Sequence, residues 1–245
     1  MHMKIKDRVY WVGSGAVGLS SPGDCHTYLI EGNDAYALVD CGMASDPKRI
    51  LAQVEMDGLD VSRIRYCFLT HSHFDHAGGC ETLRRMGVQI VGSAKADEIL
   101  RAGAQKYYHL DPCVSDFVPW CKLPISKIDI VAKHGQVFDL GGVTVEALET
   151  PGHSPDSMCF IMDDVGERNA FTGDQVFYRG MINVLAPQFS DHAHFVEGML
   201  PLRGQRIKGL FPGHLIWVVD GGQVHIDSAI DTLLRGQMPM NKPFS

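Results

Sequence analysis

The stretch "RYCFLTHSHFDHAGG" (residues 65–79) begins as an apolar run and ends with three imidazoles and a carboxylate inside six residues, at His71, His73, Asp75 and His76. The apolar half reads as a buried strand, so its end delivers ionisable chemistry to the mouth of a core. In an extended backbone alternate side chains point the same way, and His71, His73 and Asp75 are therefore expected to converge on one small volume. The "AGG" that follows removes side chains where another segment of backbone has to come close.

Three further places repeat this syntax of apolar run, Gly or Pro turn, and donor. "VEALETPGH" ends at His153, "NAFTGD" at Asp174 and "IKGLFPGH" at His214. Four strand ends are thus expected to offer ligands to one sheet edge. Seven nitrogen and oxygen donors with no thiolate suit a borderline divalent ion, zinc first, with iron, manganese or cobalt as alternatives. One four-coordinate zinc does not use seven protein ligands, whereas two ions do, and the extra carboxylate suits a bridging role.

Around this pattern the chain reads as layered α/β structure. Strand-like runs fall at "RVYWVG", "HTYLIEG", "YALVDCG", "RIRYCFLT", "VQIVGS", "KIDIVA", "VTVEALET", "SMCFIM", "NAFTG" and "IKGLFPG". Helical spacing marks "DPKRILAQVEMDGL", with Asp46 as N-cap, then "GCETLRRMG", "AKADEILRAGA", "SDHAHFVEGML" and "QVHIDSAIDTLLRG". The glycine-rich "WVGSGAVG" runs into another turn and strand, which is a hairpin rather than a dinucleotide loop. Residues 105–127, with three prolines and four aromatics, break the rhythm as an irregular substrate-loop insertion in one domain spanning 1–245.

The net charge of −7 disfavours a basic nucleic-acid or membrane face. No apolar stretch has the length of a signal or a span, so the reading is a cytoplasmic protein acting on a small molecule, with room for a homodimer. Seven cysteines without a CxxC pair signal neither a disulfide framework nor a zinc ribbon, and read as small buried hydrophobes.

HxHxDH followed by a separate His, Asp and His resembles the metallo-β-lactamase-fold hydrolase superfamily over nearly the whole chain. The resemblance implies a four-layer αββα sandwich with the metal site at one edge. It further implies that His71, His73 and His153 hold one Zn2+, that Asp75, His76 and His214 hold a second, and that Asp174 bridges them. Asp40 of "ALVDCG" matches the family's aspartate that hydrogen-bonds a ligand histidine, and Asp75 would also orient a metal-bridging hydroxide.

"TPGHSPDS" and "FTGDQVF" resemble the lactonase and glyoxalase II branches more than the true β-lactamases. Hydrolysis of a lactone or carboxylic ester is therefore the expected activity. The alternatives are a thioesterase, a phosphodiesterase, or a mononuclear iron persulfide dioxygenase. Substrate-pocket candidates are His26, Tyr107, Tyr108, Trp120, Phe177, Tyr178 and Trp217, while His192 and His194 read as the start of a helix. Substrate choice is expected to rest on residues 105–127 and 177–190.

Overall fold

The computed structural model describes residues 3–43, 46–103, 107, 126–185 and 190–242. The chain divides into two compact units, Met1–Ala132 and Lys133–Ser245, each built on its own sheet.

In the first unit seven strands lie side by side in chain order: β1 (Lys4–Lys6), β2 (Val9–Gly13), β3 (Thr27–Glu31), β4 (Tyr36–Val39), β5 (Ile64–Phe68), β6 (Gln89–Gly92) and β7 (Ile130–Val131). The first four pair antiparallel, and β4 through β7 pair parallel. Parallel neighbours require a crossover, and the helices occupy those connections. They are α1 (Lys48–Met56) after β4, α2 (Phe74–Ala77) and α3 (Cys80–Arg85) after β5, and α4 (Ala94–Ala102) after β6. Helix α1 turns Ile50 and Val54 inward and α4 turns Ala96, Ile99 and Leu100, the apolar stripe of a surface helix. Ile50, Val54, Ala96 and Leu100 share a core with Leu38, Cys67, Leu83 and Ile90.

The glycine-rich segment connects β2 to antiparallel β3, as the hairpin reading expected. Helix α2 was not foreseen, and it corrects the alternation argument. His73 has extended backbone and sits at the N-cap position of a helical turn, and Asp75 and His76 ride on that turn. Asp46 is not the cap of α1 either; Pro47 occupies that position, and Asp46 Oδ1 accepts the Lys48 amide at 3.2 Å.

The second unit holds β8 (Gln136–Asp139), β9 (Thr144–Glu149), β10 (Met158–Asp164), β11 (Glu167–Gly173) and β12 (Gly209–Pro212), in the order β12-β11-β10-β9-β8. Strands β8 to β11 pair antiparallel, and β12 lies parallel to β11. Helices α5 (His192–Met199) and α6 (Gly222–Leu234) complete it. Helix α6 buries Ile226, Ala229, Ile230 and Leu233 against Phe195 and Met199 of α5 and Leu148, Ala170 and Leu210 of the sheet. Asp191 caps α5, its carboxylate accepting the His194 amide at 3.0 Å, so the second HxH is a helix start as expected.

These topologies fix where the donors emerge. Strands β4 and β5 are parallel, with Val39 opposite Phe68, so Asp40 and His71 leave the same edge of the first sheet. Strands β9 and β11 both run opposite to β10, and β12 follows β11, so all three point the same way. Their C-terminal ends carry His153, Asp174 and His214 to one edge of the second sheet. The four strand ends expected on one sheet are therefore divided, one on the seven-stranded sheet and three on the five-stranded one.

The 105–127 insertion lies outside the described residues except for Tyr107, Ser126 and Lys127. Among the described residues, no helix is long and apolar enough to cross a membrane.

Candidate metal centre

In the first unit Asp40 organises the motif. Its carboxylate accepts the Thr70 amide at 2.8 Å, the Thr70 hydroxyl at 2.9 Å and His76 Nδ1 at 2.8 Å. One buried side chain thus pins the residue before His71 and the last histidine of the motif. Asp40 has φ of 61°, a left-handed conformation that aspartate tolerates better than most residues. A carboxylate partner requires Nδ1 of His76 to be the donor, which leaves the Nε2 lone pair for a metal.

The two glycines make this approach possible. The Cys41 amide bonds to His76 O at 2.9 Å and the Gly78 amide to Gly42 O at 2.8 Å, which draws the Asp40 loop against α2. A Cβ on Gly78 would lie 2.0 Å from Met43 O, and one on Gly79 would lie 2.7 Å from Cys41 O. The "AGG" expectation of close backbone approach is therefore met at a specific partner, the 41–43 turn.

The second unit uses a different device. Asn183 donates through Nδ2 to Asp174 Oδ2 at 2.7 Å, and its backbone carbonyl accepts His153 Nδ1 at 2.7 Å. A carbonyl partner again makes Nδ1 the donor and turns the Nε2 lone pair outward. Gly152 precedes His153, and a Cβ there would meet Gln175 Nε2 at 2.6 Å; the Gln175 Oε1 in turn receives the His153 amide at 3.1 Å.

Within each unit the donor spacing fits a cation. His71 Nε2 and His73 Nδ1 are 3.0 Å apart, and Asp75 Oδ2 and His76 Nε2 are 3.6 Å apart. In the second unit Asp174 Oδ1 lies 3.5 Å from His214 Nε2 and Oδ2 lies 3.9 Å from His153 Nε2. Two ligands on one tetrahedral zinc are separated by roughly 3.3–3.6 Å, so two of these pairs match neighbours in one coordination shell and the other two lie within a few tenths of an ångström of it. His76 in the first unit and His153 and Asp174 in the second are almost fully buried, and a buried carboxylate such as Asp174 calls for a positive partner.

The sequence reading missed four participants. Thr70 and Asn183 position donors, and nothing in their local sequence marks them. Cys25 lies with Asp40 and His76 in a cluster whose donor atoms are all within 4.8 Å of one another. Burial pushes the Cys25 thiol up to about 12, so it is a neutral neighbour at physiological pH. Lys242 places Nζ 3.5 Å from Asp174 Oδ2. The five described cysteines are all buried and free, as read from the sequence.

Each pocket candidate among the described residues has its own local surroundings. His26 is buried, with Nδ1 3.0 Å from Ser14 Oγ and its ring edge-on to Trp11. Phe177 is fully buried, under the Lys242 ammonium at 5.5 Å. Tyr178 stacks edgewise on His225 of α6, and Tyr107 sits 5.2 Å from the Lys95 ammonium. Trp217 is half-buried beyond β12. Tyr108 and Trp120 lie outside the described residues.

Comparison with known proteins settles the family. The model of the metallo-β-lactamase superfamily matches residues 20–214, through every donor named above. The chain belongs to the metallo-β-lactamase superfamily.

Among solved metallo-β-lactamases, the S60 variant of the HARLDQ-motif enzyme from Cronobacter sakazakii aligns with a TM-score of 0.71 at 18% identity, covering 94% of this chain and 92% of that one. Native FEZ-1 from Legionella gormanii gives 0.70 at 18%, with the same coverage. The mixed α/β architecture of two sheets flanked by helices is thus the superfamily's αββα type. Curated relatives include fungal proteins. An atrochrysone carboxyl ACP thioesterase of Aspergillus fumigatus is 28% identical over 94% of this chain and 63% of its own length. The lactamase-like protein nscB of Trichophyton rubrum is 29% identical over 73% of this chain and 49% of its own length. The chain therefore spans about half to two thirds of those relatives. Family, fold and clustered His and Asp donors together are compatible with a metal-dependent enzyme.

Proposed function

We propose that the protein hydrolyses an activated acyl bond, with a thioester as the first substrate to test and a lactone or carboxylic ester as the second. The reading treats the two units as one metallo-β-lactamase-like domain. His71, His73 and His153 would hold one divalent cation, Asp75, His76 and His214 a second, and Asp174 both. The observation that carries it is the pairing at each sheet edge, where donors with coordination-shell spacing have their Nε2 lone pairs set by Asp40 and by Asn183.

Divalent cations held there supply Lewis acidity toward the scissile carbonyl and bring the pKa of a water toward about 7. The chain's own residues do the rest. Asp75, which is partly exposed, accepts a hydrogen bond from the attacking water and aims it at the carbonyl carbon. Asp40 and Asn183 keep the imidazoles in one tautomer and orientation as substrate binds. The thioesterase activity for which the Aspergillus relative is named favours the thioester over the oxygen ester, and the Asp174 position after "FTG" keeps the lactone in play.

Reconstituted protein should hold near two equivalents of zinc, falling to about one in Asp174→Ala. A panel of acyl thioesters, lactones, a nitrophenyl phosphodiester and a persulfide with oxygen-uptake detection then identifies the bond. Turnover of thioesters above lactones is expected. A ceiling of one zinc per chain defeats the dinuclear reading, and oxygen consumption by the iron-loaded protein defeats the hydrolase.

A further inference from the structure

The stretch "PMNKPFS" (residues 239–245) carries no motif, yet the part of it the structure describes is firmly built. The Ile182 amide donates to Met240 O at 3.0 Å and the Lys242 amide to Ile182 O at 2.8 Å, a short parallel bridge. The Asn241 side chain locks it from both directions, accepting the Val184 amide at 2.8 Å and donating to Val184 O at 3.1 Å. Residues 182–184 are also the segment from which Asn183 reaches His153 and Asp174. The strap therefore fixes Lys242 relative to the same segment that positions two proposed ligands.

The Lys242 side chain is 11% exposed, lies over the Phe177 ring and points its ammonium at Asp174 Oδ2, 3.5 Å away. A lysine confined in that way is costly unless it does something for the carboxylate. We propose that Lys242 is an electrostatic positioning residue for Asp174: it supplies the countercharge of the metal-free carboxylate and, by competing with an incoming cation, sets the affinity of the weaker metal site. The inference rests on Asp174 being a metal ligand. Two effects act in the same direction. Removing the ammonium takes a stabilising partner from metal-free Asp174, and it removes the repulsion felt by a divalent ion on that carboxylate. Both tighten metal binding.

The test is zinc titration of the full chain in competition with a chromophoric chelator, at fixed ionic strength, for wild type, Lys242→Met and Lys242→Arg. Lys242→Met should bind its weaker zinc about tenfold more tightly, the scale of one unit charge acting through a few ångströms of partly hydrated protein. Lys242→Arg should stay within about threefold of wild type, because the charge is kept. Raising the salt concentration should narrow the gap between Met and wild type. Equal or weaker zinc affinity in Lys242→Met overturns the role of Lys242 while leaving the metallohydrolase reading in place. Wild-type protein that takes up no zinc overturns that reading, and this inference with it.

Discussion

The two units present donors in opposite ways. The first packs His71, His73, Asp75 and His76 into one short stretch of chain, which a single buried carboxylate, Asp40, pins at Thr70 and His76. The second gathers His153, Asp174 and His214 from the ends of three strands that run the same way, so the sheet itself is the organising device. A local cluster is vulnerable at the few contacts that shape one loop. A cluster assembled by topology spreads the same task over many strand pairings, and a single side chain there controls only its own partner.

Gly78→Ala tests the local design most severely. Its Cβ would sit 2.0 Å from a carbonyl oxygen of the 41–43 turn, so backbone has to move and Asp40 moves with it. A loss of about 3 kcal/mol is expected, the upper range for overpacking, and a Tm lower by about 6–12 °C. A thermal melt within 2 °C of wild type would show that the turn has slack the geometry hides.

A matched pair comes next. Asp40→Asn removes the charge that anchors both Thr70 and His76, and should weaken zinc binding by about 10–100-fold. Asn183→Ala removes only the Nδ2 bond to Asp174, because the hold on His153 comes from a backbone carbonyl that alanine keeps. About tenfold is expected there. Chelator competition measures both, and equal losses would erase the distinction drawn between the units.

The smallest effect is a control in the first unit, away from the donors. Burial pushes the Asp129 carboxyl up, but Arg84, at 2.9 Å, and the Ile90 amide outweigh it and hold the group below the ordinary aspartate range. A carboxyl depressed in the folded state contributes stability above its unfolded pKa and loses it as the pH falls through its folded one. Asp129→Asn should therefore cost about 1 kcal/mol at neutral pH, with the gap to wild type closing in acid and zinc affinity unchanged. A gap that persists in acid would assign the loss to packing instead.

Much of this was legible without coordinates. The motif at 65–79 pointed to a candidate metal site because four donors in six residues have few other uses, and the apolar runs before His153, Asp174 and His214 marked strand ends by their period. Helix α2 escaped because four residues are too few to show a 3.6-residue period. The two-residue strand β7 was over-read, and β8 passed unnoticed for the same reason of length.

What the sequence determined by itself is the donor set and the family, since ligand chemistry is a property of residue types and of the turns that expose them. Tertiary structure alone decided which groups orient those donors. Asp40 meets His76 across 36 residues, Asn183 meets His153 across 30, and Lys242 reaches Asp174 from the far end of its unit. Contacts of that kind depend on strand direction and register, which are set by the packing of the whole sheet and leave no mark on the neighbours of any one residue.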